Sequence, residues 1–278
     1  MSGRYRIPGA GAELDRRHFI AALTVASIGA VGLSRCSSTA PTQVAGAAAE
    51  APAPAAAPPA RLLPPPPPSA RIPLQPGVLS NLPGTGDLLA LTVDDGVSSD
   101  VVRAYTQLAK DTGLRLTYFV NGVYRSWTEH AELLRPLVDA GQIQLANHTW
   151  THPDLTKLPL TEVAEQFRRN HDFLWKTYGI DARPYFRPPY GAHNPHVDKV
   201  AADLGYTVDT LWSGTLEDHV WIPPGEILKM AERYLQPQAI VIGHLNHDPV
   251  TEVYGQLLDI IRARSLRTVT LNDVFRIP

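Results

Sequence analysis

Two carboxylates stand side by side at Asp94 and Asp95, and two imidazoles stand four residues apart at His148 and His152. Adjacent carboxylates held close together repel unless a cation or an arginine relieves them. Histidines at i and i+4 can turn both rings toward one ion if the segment makes a turn of helix. Two imidazoles and one carboxylate, with coordination positions left open, make a catalytic site for zinc or a similar divalent ion. Neither pair is decisive alone. An Asp-Asp pair also serves as a helix N-cap with a turn, and surface histidines are common.

What could position these residues is a series of alternating elements. The continuous apolar run at 88–93 has the length of a buried parallel strand. A helix is expected over 100–112, with Val101, Tyr105 and Leu108 on one face and Gly113 at its end. Strands follow at 116–120 and 143–146. Between them lies a helix over 131–140 that Pro136 should kink or shorten. Residues 161–178 give the clearest helix: Val163, Phe167, Leu174 and Tyr178 share a stripe, Thr161 can cap the start and Gly179 ends it. Further strands are expected at 185–186, 206–211, 239–242 and 267–271, and further helices at 195–204, 225–234 and 253–264. Strand and helix alternate about seven times, which implies a parallel sheet with helices outside it, either open or closed into a barrel. In both forms the chemistry belongs at the carboxyl ends of the strands.

Ionisable and aromatic clusters fall at those ends: Asp94-Asp95-Gly96, then 147–152, 187–190, 212–219 and His244. Read in order, they resemble the motifs of the polysaccharide deacetylases of the NodB-homology type, carbohydrate esterase family four. Thr92-Val93-Asp94-Asp95-Gly96 resembles the first motif, T-F-D-D-G, with valine for phenylalanine. Asn147-His148-Thr149-Trp150-Thr151-His152-Pro153 is similar to the second nearly letter for letter, and Arg187-Pro188-Pro189-Tyr190-Gly191 to the third. Asp218 falls on the aspartate of the fourth, where His219 replaces the usual tryptophan. Ile242-Gly243-His244 resembles the fifth, L-x-H.

The resemblance implies a single distorted (β/α) barrel of about seven strands. It implies Asp95, His148 and His152 as ligands of a divalent metal ion, zinc first, with cobalt or another divalent ion as alternatives. It implies Asp94 as general base, His244 as general acid and Asp218 as the group that orients His244. Arg187 would pair with Asp94, and the Tyr190 backbone N–H would help stabilise the oxyanion. Trp212, His219, Ile242 and Tyr190 would line the substrate pocket, although Trp212 and Ile242 suit core packing equally well. His193, His196 and His247 match no motif position; His247 reads as a solvated loop histidine rather than half of a second metal pair. The implied reaction is hydrolysis of N-acetyl groups on a cell-envelope polysaccharide, peptidoglycan or a chitin-like polymer. The alternatives are an O-acetyl esterase of the xylan type and a catalytically silent glycan-binding lipoprotein.

The whole chain sets the context. It has 278 residues and a net charge of -2, which argues against a dedicated nucleic-acid binder. Its one cysteine, Cys36, cannot form an internal disulfide. Residues 1–39 read as an export signal: Arg16 and Arg17 precede the uncharged stretch 19–33, in a layout that resembles a twin-arginine signal. That stretch is shorter than the ~20 residues of a spanning helix. Cys36 resembles the cysteine of a lipoprotein cleavage box, with Arg35 departing from the small residue expected there. Membrane contact would then come only through the signal or a lipid on Cys36. Residues 40–76, rich in Ala and Pro, read as a disordered linker, because they offer little apolar area to offset ordering entropy. Residues 77–278 are expected to form one domain, exported, monomeric, and partnered by an acetylated glycan.

Overall fold

The computed structural model describes residues 61–277. The export segment, Cys36 and the linker up to residue 60 lie outside the described residues. The strands are β1 (Ile72–Pro73), β2 (Gly77–Leu79), β3 (Leu88–Asp95), β4 (Leu116–Val120), β5 (Ile143–Asn147), β6 (Tyr185–Phe186), β7 (Val208–Thr210), β8 (Gly214–Thr215), β9 (Ile240–His244), β10 (Arg267–Thr268) and β11 (Phe275–Arg276). The helices are α1 (Ser99–Thr112), α2 (Ser126–Glu129), α3 (Ala131–Asp139), α4 (Leu160–Tyr178), α5 (Pro195–Asp203), α6 (Pro224–Tyr234), α7 (Tyr254–Ala263) and α8 (Leu271–Val274).

The main sheet runs β2-β7-β6-β5-β4-β3-β9-β8, with β10 added beside β3. Every strand pair in it is parallel. The consecutive segments β7 and β8 lie near opposite ends of that order, β7 pairing with β6 and β8 with β9. One run of chain thus draws the two sides of the sheet together, giving a distorted (β/α) barrel. β3 is central and buried along its length apart from Leu88, as expected of a parallel strand covered on both faces.

Two apolar clusters hold the barrel. One lies between the sheet and its helices, with Val101, Tyr105, Phe167, Leu174 and Leu258 among its members. The other contains Ala90, Phe119, Ala146, Tyr185, Val208 and Ile240, one residue from each of six strands. Alternation along the strands separates the two sets. The stripe on α4 is buried as expected, and Gly179 ends the helix at φ 72°. Thr161 does not cap it, however; Pro159 occupies the N-cap position without a side-chain hydrogen bond. Pro136 lies inside α3 without breaking it. The last expected strand stops at Thr268, because Thr270 and Asp273 form a capping box that starts α8.

Residues 61–76 correct the expected linker boundary. Leu62 is buried in the helix-side cluster, and its N–H donates to the Thr112 carbonyl at 2.9 Å. β1 pairs with β11, and Leu74 joins Leu82 and Phe275 in the interior cluster. A few apolar side chains with strand pairing suffice to dock a segment whose composition alone resembles a linker. Among the described residues, no helix is long and apolar enough to cross a membrane.

Candidate metal and catalytic site

The carboxyl ends of β3, β5 and β9 lie together. Asp94 is in register with His244 of β9 on one side and with Phe119 of β4 on the other. Asp95 turns out of the strand at φ 76°, followed by Gly96 at 109°. Helix α2 pins this turn: the Trp127 indole N–H donates to the Asp95 carbonyl at 3.1 Å, and the Ser126 hydroxyl donates to the Gly96 carbonyl at 2.5 Å. A Cβ on Gly96 would lie 2.4 Å from Trp127 Nε1, so this position needs glycine for space as well as for backbone angle.

His148 and His152 do converge, with ring centroids 4.8 Å apart, but not on a turn of helix. The segment is a loop with Thr149 at φ 70° and His152 at 59°. Side-chain amides hold it in that costly conformation. Asn147 Oδ1 accepts from Thr149 N at 2.8 Å, Gln166 Oε1 accepts from the N–H groups of Trp150 and Thr151 at 3.0 and 2.9 Å, and Asn121 donates to the carbonyls of His148 and Thr149.

Asp95 Oδ1 lies 3.5 Å from Nε2 of both histidines. It is buried and accepts no hydrogen bond, while Asn246 donates to Oδ2 at 2.6 Å. A tetrahedral ion with bonds of about 2.0–2.1 Å would separate its ligand atoms by roughly 3.3–3.4 Å. The orphaned oxygen and the two 3.5 Å edges therefore fit a zinc-like divalent ion. His148 is prepared for that role, since its Nδ1 faces the Arg187 carbonyl at 2.7 Å. Only a protonated nitrogen can pair with a carbonyl, so Nε2 keeps its lone pair. Burial pushes His148 down to about 3, so the ring is neutral.

Asp94 is buried on one side of this group. Arg187 Nη1 donates to its Oδ1 at 2.6 Å, and Oδ2 lies 3.5 Å from His148 Nε2. Burial raises the Asp94 pKa, and the neighbouring Arg187 charge opposes that rise. Arg187 is itself 0% exposed; it donates from Nε to the Thr210 carbonyl at 2.8 Å and lies over the Phe119 ring at 4.1 Å. On the other side, His244 Nδ1 lies 3.0 Å from Asp218 Oδ1. Burial alone would lower the His244 pKa, but the hydrogen bond and charge of Asp218, with Asp94 and Asp95 behind them, raise it above its ordinary value.

One cleft of about 470 Å³ is lined by Asp94, Asp95, His148, His152, Tyr190, Trp212, His219, Ile242 and His244. Arg187 and Asp218 are buried behind it and reach it through Asp94 and His244. The structure thus gathers all eleven residues singled out in the sequence. Tyr190, at φ 62° and 70% exposed, stands at the rim edge-on to His152 at 4.7 Å. Trp212 and Ile242 line the cleft while packing on the core, so their two readings coincide. His219 is an exposed imidazole 5.7 Å from the His244 ring, so this part of the rim is polar. Asn246 is a site residue that the sequence reading missed; its only signal was its place two residues beyond the end of β9.

A (β/α) barrel with a His-His-Asp cluster at its carboxyl end, flanked by an Asp–Arg pair and a His–Asp pair, is thus defined by geometry. Residues 82–208 match the family model described as polysaccharide deacetylase. It is 29% identical over 195 residues to the peptidoglycan-N-acetylglucosamine deacetylase PgdA of Listeria monocytogenes, covering 69% of this chain and 39% of that protein. It is 27% identical to a chitin deacetylase of Arthroderma benhamiae, covering 71% of this chain and 54% of the relative. The chain therefore spans less than two thirds of the length of either relative. In fold it is similar to the chitin deacetylase of Colletotrichum lindemuthianum, with a TM-score of 0.65 at 22% identity over 73% of this chain and 92% of the other.

Proposed function

We propose that this protein is a divalent-metal-dependent hydrolase that removes N-acetyl groups from a cell-envelope glycan, peptidoglycan or a chitin-like polymer of N-acetylglucosamine. One observation carries the reading: a base pair, Asp94–Arg187, and an acid pair, His244–Asp218, flank the Asp95/His148/His152 cluster in a single cleft. Asp95, His148 and His152 would hold the ion, zinc by the nature of the donor set. A divalent ion bound there supplies Lewis acidity for the acetyl carbonyl and for the attacking water.

The remaining chemistry belongs to side chains. Arg187 occupies Asp94 Oδ1, so Oδ2 is the oxygen left to take a proton from the water that adds to the acetyl carbon. Asp218 occupies His244 Nδ1, so Nε2 is left to give a proton to the sugar nitrogen as the carbon–nitrogen bond breaks. Acetate and a free amine result. The Tyr190 N–H, on the turn that follows Arg187, is assigned to the oxyanion. Trp212 and Ile242 would contact the acetyl methyl.

The same proposal places the protein outside the cytoplasm as a monomer, exported by residues 1–39, with Cys36 as the point of any lipid anchor. The Listeria relative, named for a peptidoglycan substrate, supports an extracytoplasmic place. The test is acetate release by the purified zinc-loaded chain from N-acetylated chito-oligomers, from peptidoglycan and from acetylated xylan. Release from the first two supports the proposal. Release from xylan alone replaces amide with ester hydrolysis, and glycan binding without any release makes the chain a silent scaffold.

A further inference from the structure

A second cluster of ligand-type atoms lies outside the cleft. His193, Asp198 and Asp209 bring one imidazole nitrogen and two carboxylates within 4.8 Å of one another. Asp209 sits on β7 and is 4% exposed, yet neither of its oxygens accepts a hydrogen bond. His193 Nδ1 is 3.1 Å from Asp209 Oδ2, but it is also 3.0 and 3.2 Å from the two oxygens of Asp198, and its hydrogen bonds go to those. One ring N–H cannot satisfy three carboxylate oxygens. A buried carboxylate left in that state is costly and requires a counter-charge or an added partner.

Arg187 lies near enough for its charge to favour the Asp209 carboxylate, but it gives that carboxylate no hydrogen bond. Its hydrogen bonds go to Asp94 and to the Thr210 and Leu211 carbonyls. Burial pushes Asp209 up to about 6, with the His193 charge opposing and Asp198 adding to the rise. Asp198 and Asp209 also border a small cleft with Gly77, Val78 and Phe186, about 250 Å³ in volume.

We propose that His193 Nδ1, Asp198 and Asp209 bind a second divalent cation. One nitrogen with two carboxylates favours a first-row ion such as zinc over calcium or magnesium, which prefer oxygen alone. The role that follows is structural. His193 ends the loop that begins at Arg187 and carries Tyr190; Asp198 lies in the first turn of α5; Asp209 lies on β7. An ion there would clasp all three segments behind the Arg187 side of the cleft. The rival is a protonated His193 shared between two carboxylates with no ion.

The test is zinc stoichiometry. The full chain is stripped with chelator, checked for folding by circular dichroism, titrated with zinc and assayed for bound metal by mass spectrometry. The expected result is two zinc ions per wild-type chain, one in His193→Ala and one in His148→Ala. His193 is three-quarters buried, so Asp198→Asn, whose side chain is 40% exposed, gives a second variant expected to hold one ion. A wild-type chain that binds one ion, with His193→Ala and Asp198→Asn unchanged, overturns the proposal. So does a folded His148→Ala chain that binds none. If only the catalytic ligand assignment is wrong, His148→Ala keeps the wild-type stoichiometry while His193→Ala still loses an ion.

Discussion

Arg187→Met is the substitution that most directly probes how the cleft is electrostatically assembled. Arg187 is wholly buried, pairs with Asp94 at 2.6 Å and donates to the carbonyls of Thr210 and Leu211 at 2.8 and 3.3 Å. A methionine fills much of the volume but leaves the Asp94 carboxylate buried without its counter-charge. Breaking a buried pair in this way costs about 3–5 kcal/mol. In a domain of this size, that lowers Tm by roughly 6–20 °C. Adding Asp94→Asn removes the stranded charge and leaves only the loss that both variants share, the Thr210 and Leu211 carbonyls without their donor. The double variant should therefore be more stable than Arg187→Met alone, while both lack activity. Urea denaturation of the metal-free proteins, followed by circular dichroism, measures all three. An Arg187→Met chain within about 1 kcal/mol of wild type, or a double variant no more stable than the single, would refute the ion-pair reasoning.

Asp94→Asn should abolish turnover, with kcat down about 10²–10⁴-fold, while zinc binding measured by mass spectrometry is unchanged; full activity would remove Asp94 as base. The pH profile of kcat/KM should show an alkaline limb set by His244, above the ordinary histidine value because of Asp218. Asp218→Asn should move that limb to lower pH by about one unit or more; an unmoved limb would separate Asp218 from the acid. The same raised pKa predicts that the His244–Asp218 pair stabilises the fold fully below pH ~6.5. That contribution fades as pH rises through the folded-state value, and the Asp218→Asn variant should lack the fade in denaturant melts. Gly96→Ala should destabilise by about 2–4 kcal/mol, since it combines a left-handed backbone with overlap on the buried Trp127 ring. A near-neutral melt would show that α2 does not pin the Asp-Asp-Gly turn.

Much of the site was legible because its residues follow strands, and strands of continuous apolar sequence are easy to place. β4 begins and ends where the sequence reading set it, and β3 extends two residues further, through the aspartates. The helical turn expected for His148 and His152 was wrong for an instructive reason. Spacing of four fits a helix, but a loop with two left-handed residues also brings the rings together, and its supports, Asn121 and Gln166, lie far away in sequence. Asn246 was invisible because an amide does not titrate and belonged to none of the motifs. Residues 61–76 read as linker because composition averages over a segment, whereas docking depends on single side chains such as Leu62 and Leu74. Closure of the barrel could not be read from periodicity either. It depends on β7 and β8 pairing on different sides, which is a property of the sheet and not of either segment.

The central claim is that Asp95, His148 and His152 hold an ion on which deacetylation depends. The most direct measurement is acetate release from an N-acetylated chito-oligomer by chelator-stripped protein, before and after zinc is added back, for wild type and for His148→Ala. The expected result is no release by stripped protein, recovery in wild type with zinc, and no recovery in His148→Ala. Undiminished release after stripping, or zinc-restored release in His148→Ala, would contradict it.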